Sequence, residues 1–167
     1  MKIWNAETGD RVSTLTDYKG RLLSVDYSPD GLYIATGSDN KTVKIWNPEV
    51  GCCVRTLKGH TNNVSSVAYS LNGNQLATGS DDKTIKIWNP ETGECIDTLE
   101  GHDDGVLSIA YSPEENYLAT ADKVVRIWNL QEGKCIRTLA GHEYGVTSLV
   151  YDSDGKHLVT SSYDLKG

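Results

Sequence analysis

Threonine, histidine and aspartate recur together in this chain, and such a trio could supply a nucleophile, its general base and the carboxylate that orients the base. One set is Thr78, His60 and Asp82, a second Thr120, His102 and Asp122, a third Thr160, His142 and Asp164. A catalytic centre is needed once, so a set that returns at each step of the sequence reads as framework, and no catalytic residue is assigned. Two loops invite ligand readings that fail on their own residues. Gly79 to Thr84 is similar to a phosphate-binding loop but lacks its second glycine and returns as Gly37 to Thr42. Asp152-Ser153-Asp154-Gly155 opens like a calcium loop, yet Tyr163 stands where the bidentate glutamate belongs. Both are read as hairpin turns. Cys53, Cys95 and Cys135 share one position of successive units, too far apart for a disulfide, and the adjacent pair Cys52-Cys53 lacks the CxxC spacing of a zinc site. The cysteines are therefore read as reduced thiols, and neither a metal nor a cofactor is expected.

A repeat positions these residues. Trp4, Trp46, Trp88 and Trp128 are spaced 42, 42 and 40 residues apart, and each ends an apolar run followed by asparagine, as in Ile85-Lys86-Ile87-Trp88-Asn89. Gly59-His60, Gly101-His102 and Gly141-His142 keep the same step. Self-similarity at this period means stacked or radial units that bury a core between neighbours. The second unit sets the template, with strand a over Val64 to Tyr69, strand b over Gln75 to Gly79, strand c over Thr84 to Asn89 and strand d over Cys95 to Leu99. Asn, Gly, Asp and Pro fill the turns between them. Four antiparallel strands on short links make one twisted sheet, a blade. A single domain over residues 1–167 follows, in units 1–16 (strands c and d), 17–58, 59–100, 101–140 and 141–167 (strands a and b), with the last strand b placed at Tyr163 to Lys166.

On these markers the chain resembles the WD-repeat β-propeller family, with Asn where the signature usually has Asp. The resemblance spans all 167 residues. It implies an all-β propeller with four repeats per chain, three full blades plus two complementary half-blades. It further implies that His60, Thr78, Asp82 and Trp88 form a structural hydrogen-bond tetrad, the indole N–H reaching the threonine hydroxyl, the hydroxyl meeting the imidazole and the carboxylate orienting it. His102, Thr120, Asp122 and Trp128 match the same pattern, but the spacing from Thr120 to Asp122 is shorter than from Thr78 to Asp82, so the turn between strands b and c must be tighter. The first unit keeps Thr36 and Trp46 and has Tyr18 and Asn40 at the His and Asp positions, which marks it as the weakest blade. The fourth supplies His142, Thr160 and Asp164 without a Trp of its own, while Trp4 stands alone at the other end of the chain.

A net charge of −7 argues against sequence-independent nucleic-acid binding and against an anionic membrane surface. No apolar run approaches the length of a membrane span, and the N-terminus reads as strand rather than signal peptide, which makes a cytoplasmic or nuclear setting the expectation. The N-x-S/T matches at Asn40 and Asn63 are then chance. With no Phe, the Tyr and Trp residues carry all aromatic packing.

The chain enters in a strand c and leaves after a strand b, and an uncovered strand edge is a liability that soluble proteins avoid. The favoured expectation is an eight-bladed ring from two chains, in which each composite blade takes strands a and b from one copy and strands c and d, with Trp4, from the other. A four-bladed closure of one chain and a piece of a longer protein are the rivals. Loops d-to-a and b-to-c share one rim, and loops a-to-b and c-to-d share the other. Asp30, Glu114, Glu115, Asp154, Glu7, Glu49, Glu91 and Glu132 crowd the second rim as solvated turns. The resemblance implies partner contacts on the first rim through Arg21, Leu23, Asp39, Asn63, Ser65, Asp81, Gly105, Leu107, Ala121, Gly145, Thr147 and Tyr163, with Tyr144 as a further aromatic anchor. The expected function is a non-enzymatic interaction scaffold that presents rim and channel to a protein or peptide. The alternative is a ligand-binding or catalytic channel lined by Ser24, Ser66, Ser108, Ser148, Asp26, Ala68, Ala110 and Val150, where Asp26 is the only charge.

Overall fold

Alternating apolar residues between turn formers give strands throughout the computed structural model, which describes residues 1–164. A two-stranded sheet of β1 (Lys2–Trp4) and β2 (Arg11–Thr14) comes first. Three four-stranded antiparallel sheets follow: β3 (Leu22–Tyr27), β4 (Ile34–Ser38), β5 (Thr42–Asn47) and β6 (Cys52–Lys58); β7 (Val64–Tyr69), β8 (Leu76–Ser80), β9 (Ile85–Trp88) and β10 (Cys95–Leu99); β11 (Ser108–Tyr111), β12 (Tyr117–Ala121), β13 (Val125–Asn129) and β14 (Lys134–Leu139). A two-stranded sheet of β15 (Val146–Tyr151) and β16 (Leu158–Ser162) ends the series. In sequence order these are strands c and d, three sets of a to d, then a and b.

One expected boundary is wrong. The last strand b is β16 at Leu158–Ser162 and not Tyr163 to Lys166: Thr160 lies opposite Leu149 just as Thr78 lies opposite Val67, so the register of the a–b hairpin fixes the strand upstream of Tyr163. Lys166 lies outside the described residues.

The core lies between sheets rather than within one. Val43, Ile45 and Leu57 of one sheet close on Val64, Val67 and Tyr69 of the next, and Ile85, Ile87 and Leu99 close in turn on Val106, Ile109 and Tyr111. Leu15, Ile34 and Trp46 seat the N-terminal pair on the first full sheet, and Ala119, Val125, Val146 and Leu149 seat the C-terminal pair on the third. Close approach explains two glycines: a Cβ on Gly37 would stand 2.6 Å from the Val64 carbonyl oxygen, and one on Gly79 would stand 2.7 Å from Val106. Among the described residues β1 pairs only with β2 and β16 only with β15, and these do not close on one another as a fourth blade.

Each strand d bulges against its strand c next to the Trp, at Ile3/Trp4, Ile45/Trp46, Cys95/Asp97 and Ile127/Trp128. The extra residue, Val12, Val54, Ile96 or Ile136, is turned outward. The thiols of Cys53, Cys95 and Cys135 sit at that bulge and donate to the carbonyls of Arg55, Asp97 and Arg137 at 3.2, 3.3 and 3.3 Å.

Candidate functional site

Strands b and c place a threonine and a tryptophan side by side, and the loops at their rim bring histidine and aspartate over them. In the second full sheet the Trp88 indole donates to Thr78 Oγ1 at 2.8 Å, His60 Nε2 meets the same oxygen at 2.8 Å and His60 Nδ1 meets Asp82 Oδ2 at 2.8 Å. Asp82 also accepts from the Thr61 amide and, through its other oxygen, from the Thr84 amide and hydroxyl. Burial alone would raise the Asp82 pKa, but the hydrogen bonds from Thr84, Thr61 and His60 outweigh it and bring it to about 2. Burial pushes the His60 pKa down, against the raising influence of Asp82.

The third full sheet closes the same network in spite of its shorter turn. Trp128 donates to Thr120 Oγ1 at 2.7 Å, His102 Nε2 lies 2.7 Å from that oxygen and His102 Nδ1 lies 3.1 Å from Asp122. The additional element is Arg126 on β13. Its guanidinium donates to both Asp122 oxygens at 3.0 and 3.1 Å, to Asp103 at 2.9 Å, and lies 3.0 Å from His102 Nδ1. Nothing in the repeat pattern gives this position a network role, and the available signal is that the only Arg among Lys2, Lys44, Lys86 and Arg126 coincides with the only shortened b-to-c turn.

In the first full sheet Trp46 reaches Thr36 Oγ1 at 2.9 Å and the network stops there. Tyr18 is exposed, and Lys44 covers the indole instead, its ammonium 5.2 Å from the ring and donating to the Asp17 carbonyl. Asn40 retains the turn function of an aspartate by accepting from the Thr42 amide and hydroxyl at 3.1 and 2.6 Å. At the C-terminal pair His142 bonds Thr160 at 2.9 Å and pairs with Asp164, which also accepts from the Glu143 and Tyr144 amides. Trp4 is not brought to Thr160 within the chain; it is exposed, with only Lys2 over its ring.

The two complete networks are closed to solvent at their threonines. Thr78 and Thr120 have no solvent exposure and their oxygens are already engaged by indole and imidazole, so a substrate has no route to them. What they do is lock the rim loops to the sheets, as a fully satisfied buried network can.

A model of the family described as WD domain, G-beta repeat matches residues 9–47, 51–89, 93–129 and 133–166. The chain belongs to the WD-repeat family. The first three matched WD repeats each run from the turn before a strand d to the Trp-Asn that ends strand c, so a repeat in the sequence straddles two blades of the structure, and the fourth match begins in the same place but contains no Trp. No curated protein matches the chain.

The rim positions named from the WD pattern fall into linked pairs. The Asp39 amide donates to the Arg21 carbonyl, and the Asp39 carboxylate pairs with the Arg21 guanidinium at 3.0 Å. Asp81 and Asn63 repeat this contact, with Asn63 Nδ2 donating at 2.9 Å, and the Tyr163 amide donates to the Gly145 carbonyl. The third pairing differs: Leu107 donates to the carbonyl of Ala121, which is buried. Leu23, Leu107, Tyr144 and Tyr163 are exposed, whereas Ser65 and Thr147 are partly buried and turn their hydroxyls to the Gly79 and Ser161 carbonyls. Gly105 packs against Asp81 and Gly145 against Leu107.

Three members of the series expected to line a channel bond the backbone of the next blade. Asp26 accepts the Tyr69 amide at 2.7 Å, Ser24 accepts the Val67 amide at 3.1 Å and Ser108 accepts the Leu149 amide at 3.2 Å. The free edges of β7 and β15 leave amides without a strand partner, and the preceding blade's side chains satisfy these three. Burial raises the Asp26 pKa, against the lowering by the Tyr69 and Tyr27 amides. Asp26 therefore already serves the packing of one blade on the next.

Proposed function

We propose that this WD-repeat chain is a non-enzymatic scaffold that presents its d-to-a and b-to-c rim to a protein or peptide, and that two copies assemble as an eight-bladed homodimeric ring. WD-repeat proteins in general bind protein partners, and the observation that carries the specific reading is the variety of side chains at equivalent rim positions. Arg21–Asp39, Asn63–Asp81, Leu107 and Tyr144–Tyr163 offer different chemistry at equivalent positions, on sheets of which the second and third full ones hold complete tetrads beneath the rim. Tyr144 and Tyr163 bring exposed rings of the kind that anchor interfaces. The ring reading draws on the unpaired edges of β1 and β16. A net charge of −7 and free thiols at exposed Cys52, Cys95 and Cys135 support a reducing, cytoplasmic or nuclear setting without nucleic-acid or membrane partners.

Tagged wild-type chain and a Tyr144→Ala/Tyr163→Ala variant, passed over an array of peptides, test the rim: the wild type is expected to retain a defined subset that the variant releases. Identical retention by both, with each protein folded, would remove these residues from the partner surface.

A further inference from the structure

Each strand a presents a face to the blade before it, and in three of four cases that face is covered. Val67, Ile109 and Leu149 are 6%, 7% and 6% exposed, whereas Val25, at the same register opposite its threonine, is 57% exposed. Next to it Leu22 opens, with Met1, Tyr18 and Leu23, on a groove of about 610 Å³. The opposite end of the arc mirrors this. Ala35, Ala77 and Ala119 on strands b are fully buried by the next blade, and Val159 in their place is 64% exposed. One chain therefore carries both halves of the blade contact that β3, β7, β11 and β15 already repeat along it, and leaves both open.

The strand edges complement each other in the same way. β8 pairs with β9 so that Leu76 faces Trp88, Ala77 faces Ile87 and Thr78 faces Lys86. The same register sets Leu158 against Trp4, Val159 against Ile3 and Thr160 against Lys2. It would bring the Trp4 ring, 57% exposed where Trp46, Trp88 and Trp128 are 0%, 2% and 3% exposed, onto the one His–Thr–Asp set that lacks an indole.

We infer that the fourth tetrad is completed in trans: Trp4 of one copy donates its indole N–H to Thr160 of a second copy, and the exchange is reciprocal. This rests on the two-copy ring proposed above. The occupant is a second copy because both open faces and both open edges belong to one sequence, and a two-fold pair satisfies all four at once, leaving no edge. The blade contact inside the chain simply continues across the junction.

Mixing separates the possibilities. Trp4→Ala and Thr160→Val each strike both composite blades of a homodimer, whereas a mixed pair holds one intact blade and one blade in which both losses fall on the same contact. Sedimentation of the wild-type chain is expected to show twice the 18.3 kDa of a single copy. Each variant alone is expected to dimerise about 100-fold more weakly and the mixed pair only about 10-fold, at roughly one tenfold factor per broken tetrad, or about 1.4 kcal/mol. With 5-fluorotryptophan the Trp4 resonance, assigned through Trp4→Phe, should lose its solvent isotope shift on dimerisation. A dimer in which that resonance stays solvent-exposed, or in which mixing gives no recovery, would sink the trans tetrad and leave the ring. A particle of 18.3 kDa at every concentration, or one that gains mass only with a different polypeptide, would remove the ring itself.

Discussion

Replacing Thr78 by valine swaps a hydroxyl for a methyl of the same shape at the centre of the most complete network. It leaves Trp88 N–H and His60 Nε2, both now 2.8 Å from the oxygen, without partners in a site closed to water. A buried polar group left unsatisfied costs about 1–3 kcal/mol, so two orphans put the loss near 3 kcal/mol after the gain from the methyl. Thr36→Val is the built-in control, because only Trp46 N–H is orphaned there and the expected loss is about 1–2 kcal/mol. Thr160→Val, measured at protein concentrations where the chain is a single copy, frees only a His142 that is partly open to solvent and should cost less still. Urea unfolding followed by far-ultraviolet circular dichroism measures the order Thr78, Thr36, Thr160. Equal losses at Thr78 and Thr36 would show that the imidazole adds nothing to the network.

Other expectations follow from the same contacts. His60 and His102 have folded pKa values lowered by burial, so they bind fewer protons folded than unfolded, and stability should fall as pH drops below the unfolded value of about 6.5. Asp82 and Asp122, at about 2 when folded, should add a second loss as pH falls from about 4 towards 2, and acid unfolding curves with nitrogen NMR of the imidazoles would show both stages. Asp26 has the opposite sign: its raised pKa means the charged form works against the fold at neutral pH, so Asp26→Asn, which keeps an acceptor for the Tyr69 amide, should raise the melting temperature at pH 7 and lose that advantage below about pH 4. Arg126→Leu leaves the buried Asp122 without its cation and should cost about 3 kcal/mol in urea unfolding. Gly37→Ala drives a Cβ into the Val64 carbonyl and should cost about 2 kcal/mol, while Ala at the equivalent position 121 is already accommodated.

The repeat, the strand order and the residues of the tetrads were legible because a propeller repeats local chemistry: GH, Thr and Trp-Asn return at nearly constant distances, and β-branched runs alternate with Gly and Asp turns. The contacts that break the repeat were not legible. Arg126 entering the third network depends on where a shortened turn leaves Asp122, and Lys44 replacing a histidine over Trp46 depends on a long side chain folding back. The Asp26–Tyr69 contact joins residues one blade apart, and nothing local in the sequence distinguishes it from a carboxylate aimed at a channel. The boundary of β16 is not legible because Tyr163 suits a strand by residue type and yet lies just past its end.

The side chains of Ser24, Asp26 and Ser108 reach the backbone of the following unit, and that has a mechanical meaning. Pulling one unit away bares amides on its neighbour as well as separating oily surfaces, so the work of detachment is concentrated at the inner radius. Under a stretching force applied at the two termini, the units should come off one after another from the outside inward, each giving a discrete step, and the array should not yield as one smooth spring.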